Sequence, residues 1–196
     1  MAVFRVHSFD ARGVTSIVDD PMVVTHALLL ADAYQVLRLL GTHPAIDPAR
    51  IGVTGWSLGG SAALYAAWEP TAAALAPGGE RFAAHLRPTL PRWAGTPIRV
   101  LHGAQDGYTP ITFVEELAEE PRGLGVPIEV IAYPGARHSF DSTAPLLDIM
   151  SLPGRKVRTH PAKRLGFIAC GASIGASGSW TAFHSRRLRR SLFSFR

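Results

Sequence analysis

The chain has 196 residues, 47% of them hydrophobic, enough to close one sizeable core and too apolar for a disordered segment. Its net charge of +5 is unevenly placed: residues 1–154 hold 15 acids against 10 Lys and Arg, and residues 155–196 hold no acid against 10. A uniformly basic nucleic-acid-binding domain is thereby excluded, and one cysteine, Cys170, excludes an internal disulfide framework.

Residues 2–6 alternate in the manner of a short strand. Apolar positions Val24, Leu28, Ala31, Tyr34, Val36, Leu37 and Leu40 recur at helical spacing and predict a helix over 22–40. Pro21 suits its first turn, and Gly41 and Pro44 end it. Asp47-Pro48 is a turn, and residues 50–54 form a buried strand running into Gly55-Trp56-Ser57-Leu58-Gly59-Gly60. Ala and Leu then predict a helix over 58–68. Residues 69–96 carry the weakest pattern, with one candidate strand at 82–86. Strands at 97–101 and 128–133 flank a helix at 111–120 that has an acidic face. Strands alternating with helices predict an α/β fold, a mostly parallel sheet with helices on both faces. Past residue 152 the periodicity decays, so we divide the chain into a body at 1–152 and a basic tail at 153–196 with little expected order.

No stretch approaches the roughly 20 apolar residues of a bilayer span, and the first residues lack the pattern of a signal peptide. A cytoplasmic protein without membrane partners is expected. The tail cluster Arg186, Arg187, Arg189 and Arg190, with Phe193 and Phe195 nearby, reads as a solvated tail rather than a nucleic-acid or membrane ligand. His7, His26, His43, His85 and His102 show no metal-ligand spacing and read as surface or internally satisfied histidines.

Gly55-Trp56-Ser57-Leu58-Gly59 carries the chemistry. It is a G-x-S-x-G nucleophile elbow in the required setting of strand, tight turn and helix. The turn lifts the serine hydroxyl to the end of the sheet, and the helix behind it offers free N–H groups to a developing oxyanion. Asp106 and His138 follow just past the next two predicted strands, in the chain order Ser, Asp, His. Strand ends are where catalytic groups gather in open α/β sheets. The predicted roles are nucleophile for Ser57, general base for His138 and orienting carboxylate for Asp106, with the backbone N–H of Leu58 as oxyanion donor. The competing readings are an N-cap serine, a turn aspartate and a surface histidine. Trp56 reads equally as acyl-pocket wall or packed aromatic.

The string from His43-Pro44-Ala45-Ile46-Asp47-Pro48 to Gly59-Gly60, with Leu101-His102-Gly103-Ala104-Gln105-Asp106, Thr109-Pro110 and His138-Ser139-Phe140, resembles the dienelactone hydrolase family over about residues 2–145. The resemblance implies an α/β-hydrolase fold and hydrolysis of a small-molecule carboxylic ester or lactone with no metal or organic cofactor. It also implies a substrate contact by Arg12, which matches one of the arginines that hold a substrate carboxylate in the family. The best-known members have cysteine where this chain has Ser57, which favours serine-esterase chemistry. They also have an arginine four residues after the histidine, where this chain has Ser142. Against the family pattern the chain starts near the fourth strand, so the first strands and one oxyanion-donating loop are expected to be missing. The tail departs from the family's last helix in the manner of a frameshift. Two other readings follow: a prolyl-oligopeptidase-type serine peptidase, which also favours a Gly-Trp-Ser-x-Gly-Gly elbow, and a catalytically inactive fragment. A third, an interaction protein working through the basic tail, has the weakest motif behind it.

Overall fold

The computed structural model describes residues 3–17, 20–76, 78, 92–95, 97–141, 146–151, 155–159, 171–174 and 194–195. Strand β1 (Arg5–Val6) leads through a 3-10 turn at Asp10–Arg12 to helix α1 (His26–Gly41). Strand β2 (Val53–Thr54) is followed directly by α2 (Leu58–Tyr65) and then α3 (Glu69–Leu75). β3 (Ile98–Gly103), α4 (Ile111–Gly123) and β4 (Ile128–Tyr133) form a β-α-β unit, the two strands pairing in parallel over all six residues. Strands β5 (Leu147–Ser151) and β6 (Arg155–Thr159) make an antiparallel pair. β7 (Gly171–Ile174) and β8 (Ser194–Phe195) join the main sheet, whose order is β1-β8-β2-β7-β3-β4.

In that sheet β1, β8, β2, β3 and β4 run one way, and only β7 opposes its neighbours. The sheet is therefore mostly parallel, as the alternation of strands and helices predicted. β7 separates the elbow strand β2 from β3, a gap of two strand spacings, or about 10 Å. The loops at the strand ends must bridge that gap. Three of these strands, β6 to β8, fall in the segment expected to carry little regular structure; its Arg186–Arg190 cluster, Cys170 and the candidate strand at 82–86 lie outside the described residues.

Helix α1 starts later than its periodicity predicted. The side chain of Thr25 accepts from the Leu28 N–H and sets the N-cap, which leaves Pro21 outside the helix. Val24 and Leu29, at the two staple positions around that cap, are both buried. The face turned inward is Leu29, Leu30, Ala33, Tyr34 and Leu37, so Leu28 and Ala31 sit at its margin rather than its centre. The buried Tyr34 hydroxyl donates to the Ala66 carbonyl at 3.2 Å, tying α1 to the end of α2.

Helix α2 buries Gly59, Gly60, Ala62, Ala63 and Leu64, small residues that let its backbone lie close to its neighbours. It stops at Tyr65, three residues before its predicted end. The missed helix α3 has alanine at three of its seven positions, a residue of high helix propensity but little amphipathic contrast to reveal it. Pro70 near its start and the Thr71 hydroxyl bonded back to the Trp68 carbonyl at 2.7 Å fix its first turn. Val114, Ala118 and Pro121 form the buried stripe of α4, which packs beside β4.

Candidate active site

The elbow is built by close backbone approach. A Cβ at Gly55 would lie 2.0 Å from the Gly59 carbonyl oxygen and 2.9 Å from the Gly60 nitrogen, so strand and helix meet only because position 55 has no side chain. Ser57 sits between them at φ 49° and ψ −118°, a region that costs a non-glycine residue about 1–3 kcal/mol. Leu58 opens α2, and its N–H is among the first four that have no acceptor within a helix. Trp56, half-buried, stands between Gly55 and Ser57.

Asp106 is positioned by the turn that ends β3, where its N–H donates to the Gly103 carbonyl at 3.0 Å. Its Oδ1 accepts from the N–H groups of Tyr108 and Thr109, both at 2.8 Å. His138 lies on the loop after β4. Gly103 brings the two loops together: a Cβ there would come within 2.6 Å of the Ala136 carbonyl oxygen. The Gln105 N–H donates to that same carbonyl at 2.8 Å. Past the histidine, Ser139 is buried at φ 59°, a second strained residue beside the site.

The three side chains converge. His138 Nδ1 is 2.7 Å from Asp106 Oδ2, and His138 Nε2 is 3.0 Å from Ser57 Oγ. Residues 81 and 32 positions apart in the chain thus form one line of hydrogen bonds. An ionised Asp106 can only accept, so Nδ1 carries the proton and Nε2 is left as acceptor for the serine hydroxyl. Asp106 and His138 are 6% and 8% exposed, which shields their bond from water. The ring of Tyr108 lies 4.9 Å from that of His138 and walls its side.

Burial alone pushes the Asp106 carboxyl up, but the hydrogen bond and charge of His138 and the N–H groups of Thr109 and Tyr108 outweigh it and hold the carboxyl below its ordinary value. A carboxyl lowered by folding stabilises the fold above its ordinary value, and that stabilisation disappears as pH falls through the lower folded value. Asp106→Asn is therefore expected to lower the melting temperature at neutral pH. The difference from the parent should shrink as pH drops below the ordinary carboxylate range. Equal differences at neutral and acidic pH would contradict this.

Arg12 is placed elsewhere in its interactions. Its guanidinium forks onto Asp32 of α1 at 2.7 and 2.9 Å and also donates to the Ser8 carbonyl at 2.7 Å. The hydrogen bond to Asp32 raises its pKa, leaving it a permanent cation with its charge already matched.

Three neighbours escaped the sequence reading. Tyr108 had its signal in lying two residues past Asp106, where a turn carboxylate binds the backbone. Val157 of β6 is buried, and its Cγ1 would lie 3.5 Å from a Cβ at Gly107, so β6 covers the turn next to Asp106. Its tail position gave no hint of this. His102, read as a surface or satisfied histidine, is 0% exposed and half satisfied: its Nδ1 bonds the Gly103 carbonyl at 3.0 Å, and its Nε2 has no hydrogen-bond partner among the described residues. Among the described residues no group of three or more His, Cys, Asp or Glu is placed to hold a metal ion, and no helix is long and apolar enough to cross a membrane.

A family model described as the dienelactone hydrolase family matches residues 10–150. Neither the curated proteins nor the solved structures yield a match.

Proposed function

The chain belongs to the dienelactone hydrolase family and is a hydrolase of that type, and from that premise we propose that it cleaves a carboxylic ester or lactone through an acyl-enzyme on Ser57. The observation that carries the proposal is the continuous line from Ser57 Oγ through His138 to Asp106, at 3.0 and 2.7 Å. In the first step Ser57 Oγ bonds to the acyl carbon while its proton passes to His138 Nε2. Asp106 stabilises the imidazolium that results. The negative charge gathered on the former carbonyl oxygen faces the Leu58 N–H and the positive end of α2. As the intermediate collapses, the bond to the leaving oxygen breaks and His138 returns the proton to it. Water then repeats the sequence, its proton going to His138 and its oxygen to the acyl carbon. Acid is released and Ser57 regains its hydrogen. Every proton transfer in this cycle passes through His138 Nε2.

Trp56, beside the nucleophile, is proposed as a wall of the acyl pocket. Arg12 is the weaker substrate contact. A substrate carboxylate would have to displace Asp32 from a forked pair, so recognition of an anionic acyl group through Arg12 is disfavoured. Arg12→Gln is expected to leave the ratio of kcat/KM for a neutral and a carboxylated ester unchanged within about twofold. A selective loss on the carboxylated ester would reinstate Arg12 as a substrate ligand.

The elbow residues also suit a serine peptidase. Hydrolysis of p-nitrophenyl esters and of peptide p-nitroanilides by the full chain separates the two readings. The ester reading expects turnover of esters that Ser57→Ala removes, with no anilide cleavage. Ser57-dependent cleavage of the anilide at comparable kcat/KM would favour the peptidase.

A further inference from the structure

The loop that carries His138 is fixed on its upstream side by backbone. The Tyr133 carbonyl, at the end of β4, accepts from the Ala104 N–H at 3.0 Å and the Ala136 N–H at 3.2 Å. The Ala136 carbonyl accepts from the Gln105 N–H at 2.8 Å. These bonds stitch the approach to His138 onto the turn that bears Asp106. Past His138 the chain meets a different demand. Ser139 is buried at φ 59°, a left-handed conformation that a residue with a Cβ keeps only where its surroundings impose it. On one side of Ser139 stands His138, held by Asp106 Oδ2 at 2.7 Å. On the other stands Phe140, whose ring lies 5.0 Å from that of Tyr133 at an interplanar angle of 40°.

Tyr133 and Phe140 therefore bracket the loop, and their rings meet at the separation of a favourable aromatic pair. Tyr133 is a firm abutment, because its backbone is part of β4 and its carbonyl is bonded to Ala104. Core burial does not account for the pair: among the described residues neither ring belongs to the main core, and Tyr133 is 39% exposed. Release of Phe140 would let Ser139 relax to negative φ, and that rotation would displace the histidine beside it. The gain from an aromatic pair and the cost of one left-handed serine are of similar size, so the first can offset the second. We propose that Tyr133 and Phe140 are positioning residues: their rings clasp the loop, hold Ser139 in its left-handed conformation and so keep His138 aimed at both Ser57 and Asp106. This inference rests on the triad reading above.

With p-nitrophenyl acetate and the full chain, Phe140→Ala and Tyr133→Ala are each expected to lower kcat about tenfold with KM within about twofold. The double variant should be no worse than either single one, since each ring acts through the other. Phe140→Tyr retains the ring and should stay within about twofold of the parent. Ser139→Gly supplies a sharper test. Glycine takes a φ of 59° without strain, so in that background Phe140→Ala should cost no more than about threefold. Because neither ring lies in the core, the melting temperature of each single variant should stay within about 4 °C of the parent.

Two readouts are independent of substrate binding. Labelling of Ser57 by a fluorophosphonate should slow about tenfold in Phe140→Ala. The downfield proton resonance of His138 Nδ1–H should move in Phe140→Ala and hold its position in Phe140→Tyr. Parental kcat and labelling in Phe140→Ala would overturn the inference. So would losses that multiply in the double variant, or an undiminished loss in the Ser139→Gly background. A loss confined to KM would also overturn it and make the rings a substrate wall. If Ser57→Ala left ester turnover intact, the triad reading itself would have failed, an outcome distinct from the loss of the clasp alone.

Discussion

Ser57→Ala and His138→Ala are each expected to cut kcat/KM for an ester by about 10⁶-fold, and Asp106→Asn by about 10⁴-fold. The double variant Ser57→Ala/His138→Ala should be no worse than either single one, because the three groups work as a unit and the loss of any member disables the others. The structure explains the ordering. Ser57 Oγ and His138 Nε2 are 3.0 Å apart and exchange the proton directly, whereas Asp106 acts one bond away, through Nδ1 at 2.7 Å. Asn at 106 keeps an oxygen for the Tyr108 and Thr109 N–H groups but can turn its amide toward Nδ1, which selects the wrong tautomer. The Ala variants should remain folded: Ser57 makes no side-chain cap for α2, and Ala at φ 49° is no more strained than Ser. Steady-state kinetics with circular dichroism on the same samples checks this. Residual activity above about one part in a hundred in a folded Ser57→Ala variant would contradict the assigned nucleophile.

The largest structural effect is expected at Gly55. A methyl group there would lie 2.0 Å from the Gly59 carbonyl oxygen and 2.3 Å from its carbon, both backbone atoms that no rotamer change can move. Either β2 or α2 must shift, and forcing backbone apart in a packed core costs about 3 kcal/mol or more. In a chain of this length that corresponds to a fall of roughly 6–12 °C in melting temperature. Activity should fall further than stability, since a 1 Å displacement of the Ser57 hydroxyl costs about a hundredfold in rate. Gly13→Ala is the contrast: its φ of 66° adds strain, but a Cβ there meets nothing within 4 Å, so the variant should lose little activity. A Gly55→Ala protein with parental melting temperature and turnover would show that the elbow is not built as described.

The elements that frame the site were legible because each rests on a local signal. β3 and β4 are apolar runs closed by Gly103 and by Pro134-Gly135, and α4 carries a buried stripe at Val114 and Ala118. The elbow was legible because two glycines around one serine answer a specific steric need, visible in what a Cβ at Gly55 would strike. Asp106 and His138 could be paired in advance because both follow strands, and adjacent parallel strands deliver their ends to one edge. What was not legible depends, apart from the start of α1, on partners distant in sequence. The register of α1 turned on the Thr25 cap, and periodicity alone placed its start four residues early. The strands β7 and β8 have four and two residues, too few for a pattern of their own to announce their pairing with β2. Arg12 could be matched to a substrate role by its position in the string, but its partner Asp32 is 20 residues on and appears only in three dimensions. His102 carried no spacing to distinguish it from the other histidines, and its burial beside Asp106 is a property of the packed turn.

The account turns on Ser57 being a nucleophile activated by His138. Treating the purified full chain with a fluorophosphonate and mapping the adduct by peptide mass spectrometry tests this without knowledge of the substrate. A single adduct on Ser57, absent from His138→Ala, is the expected result. Folded protein that takes up no label, or takes it up equally with His138 replaced, would contradict it.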